Sequence, residues 1–210
     1  MTENGVCTMS SLNDDAEAVS QSDGGPMEGV ELRVVDPDGE RLPAGIEGSL
    51  ELRSPSMCLG YLTAEGTFEP AAGRDGWFGT GDRGYLSETG NLRITGRDKD
   101  LIIRGGENIP VADVENTLYL HPDVRAVAVV AVPDARLGER ACALIVTKTG
   151  TNLTVQDVRD HLRTQHMARQ FWPEYVVNMP SLPMTPAGKI QKHLLRDLIA
   201  NEEVLKRGAL

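Results

Sequence analysis

The sequence has few aromatic residues, few cysteines and no long hydrophobic run. Phe, Trp and Tyr make up 4% of the 210 residues, so aliphatic side chains must fill most of the core. The three cysteines, Cys7, Cys58 and Cys142, form no CxxC pair, which favours free thiols over a disulfide framework or a zinc ribbon. The longest unbroken apolar run, residues 126–132, is far shorter than the roughly 20 residues that a membrane helix needs. The sequence therefore predicts no transmembrane segment.

Positive charge is also in the minority. Lys and Arg total 21 against 31 Asp and Glu, which gives a formal net charge of -10. Binding to a nucleic-acid backbone needs a basic surface, so nucleic acid is excluded as the main partner, although a local pocket for a nucleotide is not. Residues 1–25 contain no basic residue and no apolar segment, so we do not expect them to be a signal peptide. We expect a cytoplasmic protein.

The four histidines show no spacing typical of a metal site. They are His121, His161, His166 and His193. None is grouped with cysteines, and the two closest are five residues apart rather than the four that would place both on one helix face. We interpret them as surface or capping residues and expect no metal ion bound directly by this chain.

The first half of the chain divides into a polar start and a glycine-rich stretch. Residues 1–24 show no hydrophobic period, which predicts a loop or disordered tail. Between 25 and 97, the runs ELRVVD and GSLELR flank a PDG turn, and GYLSETGNLRIT predicts a hairpin that turns at residues 88–91. This part is expected to be rich in β-strands.

Residues 98–210 alternate between strand-like and helix-like patterns. The predicted elements are a strand at LIIR, a helix with Pro110 at its first position, strands over 125–132, 141–147 and 174–178, a helix capped by Thr154 and a last helix over 190–199. The alternation predicts a compact α+β domain. Its charged, glycine-led junction with the β-rich part, residues 96–100, is a candidate hinge.

Four stretches indicate chemistry as well as structure, and each also has a simpler interpretation. WFGTGD (77–82) has two glycines that bracket a threonine and deliver an aspartate, or it forms a tight turn in which the aspartate bonds its own backbone. GRDKD (96–100) is a charged junction or a solvated turn. IRGGEN (103–108) is a ligand loop, a hairpin or a helix-entry turn. PMTPAGK (183–189) projects Lys189 as a cation for phosphate or carboxylate oxygens, or leaves it as a surface lysine.

The order and spacing of the stretches resemble those of the adenylate-forming enzymes, and most of all the acyl-CoA synthetases. The matching motifs are GYL (60–62), WFGTGD (77–82), LRITGRxKD (92–100), IIRGGENI (102–109), VE (114–115) and LPMTPAGKIQK (182–192). Residues 1–3 also match the last three residues of the family motif YGxTE. We therefore interpret the chain as the C-terminal part of such an enzyme.

The resemblance implies an α+β fold in two parts. Residues 25–97 would be a β-barrel-like subdomain remnant, the distal part of the large domain, and residues 98–210 would form the small mobile α+β C-terminal domain. The family's Ser/Thr/Gly-rich phosphate loop and most of the acyl pocket have no counterpart here. The missing N-terminal portion of the enzyme is therefore an implied partner, and we expect the chain alone to be inactive.

The resemblance also implies roles in the first half-reaction, in which a carboxylic acid and ATP give an acyl-adenylate. Lys189 matches the family's catalytic lysine. Asp82 matches the aspartate that binds the ribose hydroxyls, and Arg97 an arginine that holds the nucleotide. Thr2 matches a phosphate-contacting threonine, and Glu3 a carboxylate close to magnesium. The implied cofactors and substrates are ATP, Mg²⁺, CoA and a small-molecule carboxylic acid.

For the second half-reaction the resemblance implies that CoA displaces AMP after the C-terminal domain rotates. The family's hinge aligns with Lys99. Rotation would bring the loop of Gly105, Gly106, Glu107 and Asn108 to the active site, where it lines the pantetheine tunnel.

Two positions depart from the family pattern. Gly79 stands where many relatives carry Arg or Lys, and the FWP sequence (171–173) is closest to ligases for alicyclic or short-to-medium acyl groups. Two alternatives to an acyl-CoA ligase stay open, namely an adenylation unit that loads a carrier protein and a non-catalytic remnant.

Overall fold

The computed structural model describes residues 1–73 and 75–200. The chain divides into two compact units between Lys99 and Asp100, inside the charged junction 96–100. No helix in the described ranges is long and apolar enough to cross a membrane. The two units are described separately.

The start of the first unit differs from the predicted tail. Strand β1 (Thr8–Met9) pairs antiparallel with β2 (Gly25–Pro26), and helix α1 (Ala16–Gln21) lies between them. Asn4 is buried, and its side-chain oxygen accepts a hydrogen bond from the Ser56 hydroxyl at 3.1 Å. Backbone pairing and a buried polar side chain thus hold a segment that has no hydrophobic period.

The main sheet of the first unit has four antiparallel strands in the order β3–β4–β7–β8. The strands are β3 (Glu31–Val35), β4 (Gly48–Arg53), β7 (Phe78–Leu86) and β8 (Leu92–Arg97). A separate ribbon joins β5 (Gly60–Leu62) to β6 (Phe68–Pro70). Within the described residues the sheet is open, with β3 and β8 at its edges, rather than a closed barrel. The hairpin predicted around residues 88–91 is confirmed as β7–β8.

Alternating burial explains why these residues form strands. Leu32 and Val34 on β3 and Leu50 and Leu52 on β4 point to one face, where they pack with Phe78 and other apolar side chains. Residues between them are more exposed, which is the period-two pattern of a sheet that is covered on one face.

The second unit is built on a five-stranded mixed sheet. Its strands are β9 (Ile102–Arg104), β10 (Glu107–Ile109), β11 (Val124–Asp134), β12 (Gly138–Thr147) and β13 (Tyr175–Asn178). The helices are α2 (Val111–Tyr119), α3 (Val155–Thr164) and α4 (Lys192–Ile199). The order is β10–β9–β12–β11, and β13 runs parallel to β12. The α+β class is confirmed.

Helices cover both faces of this sheet. Helices α2 and α3 pack on the face that includes Val127 and Val129, whereas α4 packs on the face that includes Ala128 and Val130. A strand buried on both faces is apolar at every position, which explains the unbroken run at 126–132. The predicted cap of α3 is also confirmed, because Thr154 forms a full capping box with Asp157. Pro110, expected at the first helical position, instead lies one residue before α2.

Candidate functional site

Asp82 and Arg97 face each other across the hairpin β7–β8. They are paired in register, and the Arg97 Nε donates to the Asp82 Oδ1 at 3.1 Å. The Asp82 side chain is 26% exposed and that of Arg97 is 64% exposed, so both reach solvent. The hydrogen bond that closes the local turn comes from Thr80 rather than from the Asp82 side chain. The Thr80 hydroxyl oxygen accepts from the Asp82 backbone N–H at 3.0 Å. The carboxylate of Asp82 is therefore turned towards Arg97.

Open space borders this pair. A Cβ atom added at Gly79 or at Gly81 would meet no atom within 4 Å. Gly81 also has a φ of +73°, in the left-handed region that favours glycine. The Thr80 hydroxyl donates to the Leu50 carbonyl at 2.9 Å and fixes the strand between the two glycines. The backbone here leaves room for a ligand beside Asp82.

Trp77, at the start of this stretch, is held by a cluster that the sequence reasoning missed. The Arg33 and Arg53 guanidinium carbons lie 4.4 and 4.8 Å from the centre of a Trp77 ring. Arg33 also forms ion pairs with Glu51 at 2.5 Å and with Asp75 at 3.0 Å. Cation–π contacts of this kind anchor the tryptophan on the sheet, and so fix where the strand that carries Asp82 begins.

The two candidates at the start of the chain lie beside strand β5. The Glu3 carbonyl accepts from the Cys58 backbone N–H at 2.7 Å, and the Tyr61 hydroxyl donates to the Glu3 carboxylate at 3.3 Å. Desolvation raises the pKa of Tyr61, and the charge of Glu3 adds to that shift. Thr2 is exposed. The sequence motifs TE and GYL are thus brought together.

In the second unit, Gly105 and Gly106 form the two-residue loop of the hairpin β9–β10. Their φ values are +60° and +88°, and positive φ at both central residues is typical of the type I′ turns that close such hairpins. The backbone alone therefore accounts for both glycines, as the hairpin interpretation allowed. A Cβ atom at Gly106 would still meet nothing within 4 Å, and Glu107 and Asn108 are exposed beside it.

Arg104 anchors this hairpin, which the sequence did not reveal. Its Nη1 lies 2.5 Å from the Glu174 Oε1 and 3.3 Å from the Trp172 carbonyl oxygen. The second oxygen of Glu174 accepts from the Ala141 backbone N–H at 3.0 Å. The side chains of Arg104 and Glu174 are only 13% and 19% exposed, so the pair is well shielded.

Lys189 closes a tight turn immediately before α4. Thr185 and Lys189 are joined by two bonds, from the Thr185 N–H to the Lys189 carbonyl at 2.8 Å and from the Lys189 N–H to the Thr185 hydroxyl at 3.1 Å. Gly188 supplies the positive φ of +81°. The Lys189 side chain is exposed and forms no ion pair with any described residue. An exposed lysine on a fixed turn fits both sequence interpretations, a cation projected towards a ligand and a surface lysine.

Helix α4 carries two further cations that sequence reasoning had not assigned. The Lys192 ammonium lies 2.8 Å from Glu115 and 3.9 Å from Asp100, and Arg196 forms an ion pair with Asp100. Burial raises the pKa of Glu115, while Lys192 opposes that shift. The Glu115 carboxylate also accepts from the Val129 backbone N–H at 2.6 Å. Lys192 is the last residue of the motif LPMTPAGKIQK, and its place in that motif is the sequence feature from which a role could have been predicted.

The described residues contain no group of three or more His, Cys, Asp or Glu side chains that could hold a metal ion. Two of the histidines contact each other instead of lying apart on the surface. The rings of His121 and His161 are 4.9 Å apart at their centres, and desolvation lowers the pKa of His121.

Two protein-family models match the chain. The AMP-binding enzyme C-terminal domain matches residues 113–189, and the AMP-binding enzyme family matches residues 1–62. Both models describe adenylate-forming enzymes, and the chain belongs to that class.

Among individual proteins, the chain is similar to acyl-CoA ligases over most of its length. It is 39% identical over 196 residues to the medium-chain fatty-acid–CoA ligase of Escherichia coli, covering 93% of this chain and 35% of that protein. It is 38% identical to the salicyl-AMP ligase / salicyl-S-ArCP synthetase of Mycobacterium tuberculosis, covering 91% of this chain and 34% of the relative. The chain thus spans about a third of the length of these relatives.

A solved structure has the same fold. The crystal structure of ATP-bound MatB from Rhodopseudomonas palustris superposes with a TM-score of 0.83 at 33% identity, over 96% of this chain and 40% of that one. The predicted resemblance of this chain to the C-terminal part of an adenylate-forming enzyme of the acyl-CoA synthetase family is confirmed.

Proposed function

We propose that this chain is the C-terminal part of an ATP-dependent acyl-CoA ligase, in which the second unit serves two half-reactions in turn. In the first, a carboxylic acid attacks the α-phosphate of ATP, giving an acyl-adenylate and pyrophosphate. In the second, the thiol of CoA displaces AMP. The observation that carries the proposal is the exposed Lys189, held in a fixed turn in a chain whose first unit presents Asp82 and Arg97 as a solvent-facing pair.

Asp82 and Arg97 are proposed to hold the nucleotide. A carboxylate accepts hydrogen bonds from both hydroxyls of a ribose, and the ion pair with Arg97 keeps Asp82 oriented for that purpose. The open space at Gly79 and Gly81 accommodates the sugar. Because no cationic side chain stands at position 79, Arg97 carries more of the electrostatic contact with the nucleotide than it would if that cation were present.

Thr2 and Glu3 are proposed to act at the phosphates. Mg²⁺ takes one or two carboxylates together with phosphate oxygens, so the single carboxylate of Glu3 fits an ion that arrives with ATP. When bound, that ion would neutralise charge on the phosphates. Tyr61 orients the Glu3 carboxylate through its hydroxyl, and Thr2 offers a hydroxyl donor beside it.

Lys189 is the proposed catalytic residue of the first half-reaction. Negative charge concentrates on the carboxylate and α-phosphate oxygens as they react, and a fixed cation aimed at those oxygens lowers the barrier. The turn from Thr185 to Gly188 fixes the backbone position from which the Lys189 side chain extends. Its solvent exposure leaves it able to reach a ligand outside the second unit.

The loop of Gly105, Gly106, Glu107 and Asn108 is proposed to line the path of the CoA thiol in the second half-reaction. Gly106 leaves open space where a side chain would stand. Rotation about Lys99 is proposed to exchange Lys189 for this loop, as hinge motions complete catalytic sites in other enzymes. The residues 98–210 are the proposed moving domain.

The sequence has no Ser/Thr/Gly-rich phosphate loop to hold the β- and γ-phosphates of ATP, and Thr2 and Glu3 alone do not replace such a loop. We therefore propose that the 210-residue chain alone does not form acyl-adenylate. Carboxylate-dependent exchange of pyrophosphate into ATP by the purified chain, free of contaminating ligase, would contradict this. For the substrate we propose a class, namely carboxylic acids with a short-to-medium or alicyclic acyl group.

A carrier protein is the alternative acceptor, since one relative at 38% identity is named a salicyl-S-ArCP synthetase. The two acceptors are distinguished by supplying the acyl-adenylate with CoA or with a phosphopantetheinylated carrier protein. Faster release of AMP with CoA supports the ligase, and faster release with the carrier supports the alternative.

The main test uses a full-length ligase that contains this sequence, either the natural polypeptide or a fusion to the N-terminal part of the Escherichia coli relative. Lys189→Ala should lower acyl-adenylate formation by about 10²–10³-fold, as removal of one preorganised donor does elsewhere. Thioester formation from pre-made acyl-adenylate should stay largely unchanged.

Lys148→Ala is the matched control, because Lys148 is another exposed lysine of the second unit, whose ammonium donates to the Pro122 carbonyl at 2.7 Å. It should leave both half-reactions unchanged. Equal losses in both half-reactions for Lys189→Ala would overturn the assignment of Lys189.

A further inference from the structure

Helix α2 binds the outer edge of the sheet in the second unit. Among the described strands, β11 is the last in the order β10–β9–β12–β11, so its outer backbone groups face no further strand. Two side chains one helical turn apart bind these groups instead. Glu115 accepts from the Val129 N–H at 2.6 Å, and the Tyr119 hydroxyl donates to the Val127 carbonyl at 3.4 Å.

Glu115 also binds Lys192, the first residue of α4. The Lys192 ammonium lies 2.8 Å from the same Glu115 oxygen, and each side chain is only 17% exposed. Helices α2 and α4 pack on opposite faces of the sheet, so the Glu115–Lys192 pair reaches around the edge of β11. Because the pair is shielded from water, its attraction is screened far less than that of an exposed pair.

The position of Lys192 does not favour the helix that carries it. A cation in the first turn opposes the positive end of the helix dipole. As described, α4 has no side-chain cap at Gln191 and no acidic residue in its first turn. The carboxylates near Lys192 come from outside the helix, namely Glu115 and, at 3.9 Å, Asp100. The start of α4 is therefore held by the rest of the second unit rather than by its own capping.

The Lys189 turn runs directly into this start of α4. Leu182 before the turn and Ile190 after Lys189 pack with the core on this face of the sheet. Apolar contacts are non-directional, so they hold the ends of the turn but do not orient it. The ion pair of Lys192, three residues after Lys189, supplies a directional contact.

We propose that Glu115 and Lys192 are positioning residues of the first half-reaction, which hold the start of α4 and with it the Lys189 turn in a fixed place on the second unit. This inference rests on the proposed function, in which Lys189 is the catalytic residue. Neither side chain of the pair has to touch the reactants. Loss of the pair should therefore slow the half-reaction that uses Lys189 and spare the other.

The experiment measures the two half-reactions separately in the full-length ligase. Lys192→Met keeps the apolar stem but removes the ammonium. It should lower the maximal rate of adenylate formation by about tenfold, because a misplacement of about 1 Å costs up to about 10²-fold and the apolar contacts of the turn remain. The KM for ATP should stay unchanged, since Asp82 and Arg97 are proposed to hold the nucleotide. Thioester formation from pre-made acyl-adenylate should also be unchanged.

Two conservative variants test the chemistry of the pair. Lys192→Arg keeps a cation and should restore most of the rate of adenylate formation. Glu115→Gln keeps an oxygen for the Val129 N–H but removes the negative charge, and should cause a smaller loss than Lys192→Met. A rate with arginine as low as that with methionine would overturn the inference.

Arg140→Met is the matched control. Arg140 forms another shielded ion pair of the same sheet, with Asp134 at 2.5 Å, and the two side chains are 28% and 16% exposed. This variant should leave adenylate formation unchanged. Thermal unfolding of every variant shows that the rates are compared in folded protein. An equal loss of adenylate formation in Arg140→Met and Lys192→Met would overturn the inference.

A double variant distinguishes positioning from a general loss of stability. Because Lys192 is proposed to act through Lys189, its removal should cost nothing further once Lys189 is gone. Lys189→Ala combined with Lys192→Met should therefore form adenylate at the rate of Lys189→Ala alone. Losses that multiply would overturn the inference. If Lys192→Met fails to fold, Glu115→Gln takes its place in the double variant.

The same rates separate this inference from the proposed function. If Lys189→Ala leaves adenylate formation unchanged, the proposed role of Lys189 is wrong, and the inference falls with it. If Lys189→Ala slows adenylate formation but Lys192→Met behaves like Arg140→Met, only the inference about Glu115 and Lys192 is wrong.

Discussion

The second unit contains two tight turns that carry predicted functional residues, and they are built in different ways. The Gly105–Gly106 turn is fixed by its own backbone, since both residues have positive φ, and by the neighbouring pair Arg104 and Glu174. The Lys189 turn needs only one glycine and is closed through the Thr185 side chain. One turn leaves space and the other presents a charge. The comparison teaches that a turn fixed by its own backbone can leave a surface free of side chains, whereas a turn closed by a side chain can hold a lysine at its end, and each construction suits the role proposed for it.

The largest expected effect comes from filling the open space at the Gly105–Gly106 turn, which should remove the difference between the two turns. In the full-length ligase, Gly106→Leu should lower thioester formation by about 10²-fold, the size of loss that small misplacements of a reactant cause, and should largely spare adenylate formation. Both rates are measured separately, the thioester rate from pre-made acyl-adenylate.

Because a side chain at a φ of +88° is also strained, this prediction needs a control for strain. Gly150 has a φ of +74° and equally open surroundings, so Gly150→Leu should reproduce the strain without affecting either rate. If it slows thioester formation as much as Gly106→Leu does, backbone strain and not blocked access explains the loss.

The second prediction loosens the first turn without filling it. Arg104→Gln removes a shielded charge-assisted bond and should lower the free energy of unfolding by about 1.5–3 kcal/mol, with thioester formation falling more than adenylate formation. Urea denaturation and the two rate assays measure this. Arg163→Gln, which breaks an exposed pair with Asp160, should change stability by less than about 0.5 kcal/mol. A loss shared equally by both half-reactions would contradict a role of Arg104 at this turn.

The third prediction loosens the Lys189 turn. Thr185→Val removes the oxygen that accepts the Lys189 N–H, and the lost hydrogen bond of about 0.5–1.5 kcal/mol should reduce adenylate formation by up to about tenfold. Thr185→Ser keeps the hydroxyl and should restore the rate. The idea fails if valine and serine give the same adenylate rate, or if valine slows thioester formation instead.

The smallest expected effect lies away from both turns, at the contact between His121 and His161. Desolvation lowers the pKa of folded His121 below its ordinary 6.5, so the unfolded chain binds more protons as the pH falls. Its contribution to stability is present above pH 6.5 and is lost as the pH falls through and below that value. The free energy of unfolding of the 210-residue chain should therefore decrease slightly less between pH 7 and pH 5 for His121→Asn. A steeper decrease in that variant would contradict the assignment.

Much of the local structure could be predicted because it depends on short-range rules. Alternating apolar residues gave the strands of the first unit, and the unbroken run at 126–132 matched a strand covered on both faces. Thr154 and Asp157, three residues apart, predicted the start of α3. The polar start of the chain was not predictable in this way, because its order depends on Asn4 bonding Ser56, 52 residues away.

The sequence by itself determined the class of protein and which residues carry the candidate chemistry, because motifs such as WFGTGD and PMTPAGK are contiguous and their spacing is specific. Only the tertiary structure decided how those residues are held. Asp100 meets Arg196 across 96 positions, and Arg104 meets Glu174 across 70. Such pairs depend on strand register and on which face of a helix meets the sheet, and both are set by packing of the whole core rather than by any local pattern.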